Sequence, residues 1–167
     1  MHSLLASYPD FPHEGILFRD LNPVFANAAA FKSIIDALLS EFDGSFDAVA
    51  GIEARGFLLA GALGYAADVP VLAVRKGGKL PGTVLGEEYA LEYGTARLEL
   101  EAGQLPAGTR VLILDDVLAT GGTVAATASL ISRAGYTVAG VGVVIELSDL
   151  GGRARIEGIP THTIVSF

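Results

Sequence analysis

The sequence has no cysteine and no tryptophan, is poor in basic residues, and lacks any long apolar run. Without cysteine there is no disulfide framework and no thiolate metal site. Only 11 Lys and Arg stand against 19 Asp and Glu, a formal net charge of −8. A nucleic-acid surface needs a broad excess of cations to neutralise phosphates, so that class is excluded. No segment reaches the roughly 18 uninterrupted apolar residues of a membrane helix. Phe57 to Ala67 comes nearest, but it is short and broken by glycine. Met1-His2-Ser3-Leu4-Leu5 lacks the basic start and long apolar core of a secretory signal. The expectation is a soluble, cytoplasmic protein with no membrane or nucleic-acid partner. His2, His13 and His162 are scattered without ligand spacing and read as structural, so no zinc site is expected. Neither the Gly-x-x-x-x-Gly-Lys-Ser/Thr loop nor a Gly-x-Gly-x-x-Gly turn between strand and helix occurs.

What is present is a globular composition, 51% hydrophobic and 18% charged over 167 residues, read as one domain spanning 1–167. Strands are expected over Phe46–Ile52, Pro70–Val74, Arg97–Glu101, Arg110–Leu114, Thr137–Glu146 and Thr161–Phe167. Helices are expected from an Asn27 cap to about Phe42, over Gly56–Ala67, and over Thr123–Ala134 with Gly135 as the stop. Phe31, Ile34, Ile35, Leu38, Leu39 and Phe42 fall on one face of the first. In Arg97–Glu101 the alternation puts Leu98 and Leu100 inward and Arg97, Glu99 and Glu101 on a wet face. Residues 1–25 form a mixed segment punctuated by Pro9, Pro12 and Pro23. Strands alternating with helices specify an α/β fold with a mainly parallel central sheet flanked by helices. Ligands of such sheets bind beyond the carboxyl ends of the strands.

Three such ends carry polar groups. The most informative is Val111-Leu112-Ile113-Leu114-Asp115-Asp116-Val117-Leu118-Ala119-Thr120-Gly121-Gly122-Thr123. A doubly buried strand ends in two acids, and a small-residue loop then opens a helix. Backbone N–H groups and the positive helix end suit a phosphate, and Gly121 and Gly122 allow close approach. Thr120 and Thr123 add hydroxyls. The acids would repel the phosphate and suit sugar hydroxyls or a metal ion. At the second end, Glu53-Ala54-Arg55-Gly56 can hold another anion, with Arg55 as a bidentate grip. The third is Arg75-Lys76-Gly77-Gly78-Lys79, which concentrates scarce positive charge.

The long run resembles the phosphoribosyl pyrophosphate (PRPP) signature of the type I phosphoribosyltransferases. In that family the two acids hold the ribose hydroxyls and the loop holds the 5′-phosphate. Gly51 to Phe57, Arg75-Lys76-Gly77-Gly78-Lys79-Leu80-Pro81, Tyr89-Ala90-Leu91-Glu92-Tyr93-Gly94 and Gly15-Ile16-Leu17-Phe18-Arg19-Asp20 resemble motifs of the adenine phosphoribosyltransferases in family order. Glu146 to Arg153 is similar too, so the resemblance covers about Tyr8 to Val165. It departs at Ala54, where the family often has Ser, and at Gly77, where it often has a third basic residue.

The resemblance implies a type I phosphoribosyltransferase fold with a small N-terminal hood segment and a flexible hairpin lid. The lid is expected as a mobile loop over about Gly82 to Gly94. The implied reaction is adenine plus PRPP giving AMP and pyrophosphate, with Mg²⁺ held by PRPP and water and no direct protein ligand assigned. By the same resemblance Glu53, Ala54, Arg55, Arg75, Lys76 and Lys79 bind pyrophosphate. Asp115, Asp116, Ala119, Thr120, Gly121, Gly122 and Thr123 bind ribose and 5′-phosphate, and Leu17, Phe18 and Arg19 bind adenine. Arg55 and Glu92 are the implied catalytic residues, and a homodimer is implied. A transferase for another base and a PRPP-sensing regulator of the same fold are the alternatives.

Overall fold

The computed structural model describes residues 4–10, 13–15, 17–90 and 94–167. Two short strands, β1 (Ala6–Pro9) and β2 (Leu17–Asp20), pair antiparallel as a separate ribbon. The helices α1 (Asn22–Phe25) and α2 (Ala28–Glu41) follow. Next come β3 (Ala48–Ile52), α3 (Gly56–Ala67), β4 (Val71–Lys76), β5 (Val84–Ala90), β6 (Thr95–Glu101) and β7 (Arg110–Leu118). The chain ends with α4 (Gly122–Arg133), β8 (Thr137–Glu146) and β9 (Thr161–Ser166). Strands β3 to β9 form one sheet in the order β5-β6-β4-β3-β7-β8-β9. Five neighbours, β4-β3-β7-β8-β9, run parallel, and β6 and β5 extend the edge antiparallel.

The alternation of β7 builds the two cores. Leu112 and Leu114 face α2 and α3 with Leu38, Leu59, Leu63 and Val144. Val111 and Ile113 face α4 with Val124, Leu130, Ile131 and Val143. All of these are essentially inaccessible, as expected for a parallel sheet covered on both sides. Helix α2 is capped by Asn27, whose side chain accepts from the Ala30 N–H at 3.0 Å. It buries Ile34, Ile35 and Leu38.

Three expectations are corrected. The acids do not follow β7 but lie within it, because pairing with the long β8 carries the ladder on to Leu118 opposite Glu146. Glu99 is not on a wet face: it is 6% exposed, closed over by the Gly78 N–H and Arg97. The segment from Gly82 is not a loop throughout. Val84–Ala90 is a full antiparallel partner of β6, with Leu85 and Tyr89 packed toward α4. Arg133 of α4 ties it down further, donating to the Gly86 carbonyl and to Glu87. Within the mixed N-terminal segment, the proline-flanked stretches pair as β1 and β2.

Candidate active site

The parallel order sets the carboxyl ends of β4, β3 and β7 side by side, and their polar groups bond to one another. Glu53, just past β3, accepts from the Lys76 N–H at 2.9 Å, from Lys79 Nζ at 2.5 Å and from Arg75 Nε at 3.4 Å. The Lys79 hydrogen bond, then that of the Lys76 N–H, holds its carboxyl at about 2, well below the usual carboxylate range. Glu53 therefore stays ionised and organises the basic loop 75–79 rather than meeting an anion itself. The Glu53–Ala54 peptide is cis.

Arg55 caps the start of α3. Its Nη1 donates to Asp116 Oδ2 at 2.9 Å, its Nη2 lies 3.9 Å from Asp20 Oδ1, and its guanidinium carbon sits 5.6 Å from the Phe18 ring centre. One side chain thus joins the acidic pair to the hood. Asp115 is buried behind Asp116, 8% exposed, and its Oδ1 accepts the Asp116 N–H at 2.9 Å. Burial first, and the Asp116 charge second, push its carboxyl well above the usual range.

Loop 119–121 turns off β7 with Gly121 at φ +77°, and α4 starts at Gly122. The first N–H groups of a helix have no partner within it, and here they open on the same end of the sheet as the acids. The loop is wedged against Gly152. A Cβ on Gly121 would lie 2.4 Å from the Gly152 carbonyl oxygen, and one on Gly152 would lie 2.2 Å from that of Ala119. The turn that carries Gly152 is pinned by Arg153, which donates to Glu146 from Nε at 2.9 Å and Nη2 at 2.5 Å. Arg155 Nη1 would lie 3.5 Å from a Cβ on Gly122, which sets a cation beside the helix start.

Above Arg55 the hood closes a cleft of about 380 Å³ lined by Tyr8, Phe18, Asp20, Asn22 and Arg55. Of the three residues expected at the base, only Phe18 lines it. Leu17 and Arg19 alternate to the opposite side of β2. Arg19 donates to Ser7 Oγ at 2.6 Å and stacks on Phe167 at 4.1 Å. Glu92 lies outside the described residues, as do Leu91 and Tyr93. Sequence reasoning missed Tyr8, Asn22, Gly152 and Arg155. For Tyr8 a signal existed: it faces Phe18 across the ribbon, in direct register, but Pro9 obscured the strand. Gly152 is 31 residues from Gly121, and no local pattern joins them.

Among the described residues no group of three or more His, Asp or Glu is placed to hold a metal. No helix among them is long and apolar enough to cross a membrane.

A family model described as "Phosphoribosyl transferase domain" matches residues 21–162. An adenine phosphoribosyltransferase from Clavibacter sepedonicus is 62% identical over 166 residues, covering 99% of this chain and 86% of that protein. The crystal structure of adenine phosphoribosyltransferase from Thermoanaerobacter pseudethanolicus superposes with a TM-score of 0.95 at 41% identity, covering 99% of this chain and 97% of that one. The enzyme from Saccharomyces cerevisiae, solved with an imino-altritol bisphosphate and adenine, gives 0.92 at 38% identity, covering 98% and 96%.

Proposed function

The chain belongs to the adenine phosphoribosyltransferase family, and we infer that the joined strand ends and the hood cleft carry adenine to the anomeric carbon of PRPP. The reaction gives AMP and pyrophosphate, the purine-salvage step, and the enzyme is a pentosyltransferase. The observation that carries the assignment of parts is the placement of Arg55. It lies between the acidic pair, suited to ribose hydroxyls, and the aromatic cleft, suited to a flat base.

The N9–C1′ bond forms as the C1′–O bond to pyrophosphate breaks, and the N9 proton leaves. Positive charge gathers on the sugar and negative charge on the leaving group. We assign the leaving group to Arg55, Lys76 and the Glu53-organised Arg75 and Lys79, with the backbone of Glu53 and Ala54 beside it. Asp115 and Asp116 take the ribose hydroxyls, and Ala119, Thr120, Gly121, Gly122 and Thr123 take the 5′-phosphate. Phe18 stacks on adenine, and the backbone of Leu17 and Arg19 reads its edge. Glu92, in the lid motif, takes the purine proton, and closure of the lid keeps water from the cationic sugar. No direct protein ligand to Mg²⁺ is assigned, and PRPP and water would hold it. A bound Mg²⁺ would offset the diphosphate charge. We read residues 1–167 as one cytoplasmic domain.

An initial-rate screen over adenine, hypoxanthine, guanine, xanthine and orotate with PRPP and Mg²⁺ tests the base. Adenine is expected to be consumed far faster than the rest, and equal turnover of a 6-oxopurine would remove the assignment. In the same assay Glu92→Gln should bind PRPP but turn over more slowly. Wild-type turnover would take Glu92 out of the chemistry.

We also propose a homodimer. Leu58 and Tyr65, seven residues apart on one stripe of α3, are 53% and 91% exposed, and Val71, which lines one hollow with Tyr65, is 48% exposed. Apolar groups grouped in this way are rarely left to water. Sedimentation at micromolar concentration should give a dimer, and a fully active monomer would exclude one.

A further inference from the structure

The hairpin β5–β6 and the basic loop 75–79 meet at one side chain, Arg97. Strand β6 lies between β4 and β5. On the β4 side, the Arg97 carbonyl accepts the Gly77 N–H at 2.9 Å. The aliphatic stem of Arg97 covers Gly77, so that a Cβ there would sit 3.4 Å from both Arg97 Cβ and Cδ. On the β5 side, the guanidinium lies flat across Gly86, where a Cβ would fall 2.0 Å from Nη2 and 2.3 Å from Cζ. Between the two, Nε donates to Glu99 Oε1 at 3.1 Å, and Glu99 Oε2 accepts the Gly78 N–H at 2.8 Å. Arg97 thus contacts the chain on both sides of β6 and, through one buried carboxylate, the turn of the basic loop.

The Arg97 side chain is 47% exposed and the Glu99 side chain 8%, so Arg97 satisfies a carboxylate that is itself buried. A Cβ at Gly86 would displace the guanidinium, the flexible end of the side chain, and one at Gly77 would rest in van der Waals contact with the stem. Gly77 in the turn after β4 and Gly86 on β5 flank the one arginine. The arrangement fits a mechanical link better than a surface ion pair.

We propose that Arg97 is a positioning residue that couples the anion-holding loop 75–79 to the β5–β6 hairpin, so that the loop's grip on pyrophosphate depends on this contact. The proposal rests on the reading of loop 75–79 as the pyrophosphate site. Arg97 itself touches no substrate. It fixes the Gly77–Gly78 turn through Glu99 and registers that turn against β5 through Gly86.

Steady-state kinetics in both directions test it, forward with PRPP and adenine and backward with AMP and pyrophosphate. Arg97→Ala should raise KM for PRPP and for pyrophosphate about fivefold or more, the usual size of a coupling between sites. KM for adenine should stay within about twofold, inside the non-additivity expected of distant positions. Arg97→Lys keeps the stem and the bond to Glu99 and should restore most of the loss. Gly86→Ala displaces the guanidinium with Arg97 intact and should give the same KM pattern. It also serves where Arg97→Ala fails to fold. The double variant should be no worse than the worse single one. PRPP and pyrophosphate KM values that stay at wild type in folded Arg97→Ala and Gly86→Ala would overturn the proposal, as would a uniform fall in kcat. Lys76→Ala separates the two readings. If it raises the pyrophosphate KM while Arg97→Ala does not, the coupling fails alone. If Lys76→Ala leaves that KM unchanged, the assignment of the loop fails and the coupling with it.

Discussion

Gly121→Ala is expected to lower kcat/KM for PRPP by roughly 10²-fold, the equivalent of about 3 kcal/mol, while adenine KM changes little. Gly121 sits at φ +77°, where an alanine is strained, and its Cβ would meet the Gly152 carbonyl at 2.4 Å. Backbone cannot yield as a flexible side-chain end can, so the loop must move. Its N–H groups would then point away from where a 5′-phosphate sits. Gly152→Ala reaches the same loop from the other side, with the Cβ 2.2 Å from the Ala119 oxygen and no positive φ at position 152. It should raise the PRPP KM similarly. Gly103→Ala is the control. Gly103 has φ +75° but open space around it, so strain acts there without collision, and PRPP kinetics should hold. Wild-type PRPP kinetics in both Gly121→Ala and Gly152→Ala would mean that the phosphate is held elsewhere.

The comparison of these glycines shows what the sequence makes legible. The run from Val111 to Thr123 announces strand, acids, loop and helix because each is a local pattern: burial on both faces, charge, small residues, then helix period. That three polar strand ends converge on one site follows from the strand–helix alternation, whereas the order of the strands in the sheet is seen only in the structure. What stays hidden is set by distant pieces. Glu99 reads as a solvated acid until the Gly78 turn closes over it. Arg55 reads as a grip for an anion, and the structure also bonds it to Asp116, 61 residues on. Val84–Ala90 reads as a loop because Gly86 and two adjacent glutamates weaken its strand signal. Pairing with β6 and anchoring by Arg133 override that propensity. In the hood, Leu17-Phe18-Arg19 is legible as a group, but only the register of β2 against β1 separates Phe18, in the cleft, from its two neighbours.

The acidic pair yields the other large effect. Asp115→Asn and Asp116→Asn should each lower kcat/KM for PRPP by about 10- to 100-fold, since a hydrogen bond to a charged group is worth roughly 1.5–3 kcal/mol. The two variants should differ in everything else. Asp116 holds Arg55 at 2.9 Å, so Asp116→Asn removes the charge from that bond and should also disturb adenine binding at the cleft that Arg55 lines. Asp115 holds no cation and is raised by burial and by Asp116. Its folded form binds a proton more tightly than the unfolded chain does. Stability from this group is therefore full below the unfolded value of about 3.9 and is lost as pH rises through the raised folded value. Asp115→Asn removes that loss, so the unliganded variant should be at least as stable as wild type at neutral pH, with a flatter stability–pH profile. Ribose hydroxyls donating to the Asp115 carboxylate favour its ionised form, so PRPP binding should release a proton and tighten as pH rises. Calorimetry in buffers of different ionisation enthalpy measures that proton, and Asp115→Asn should abolish it. Unchanged PRPP kinetics in both variants would place the ribose elsewhere. Proton release that persists in Asp115→Asn would assign the titration to another group and leave Asp115 a buried structural acid.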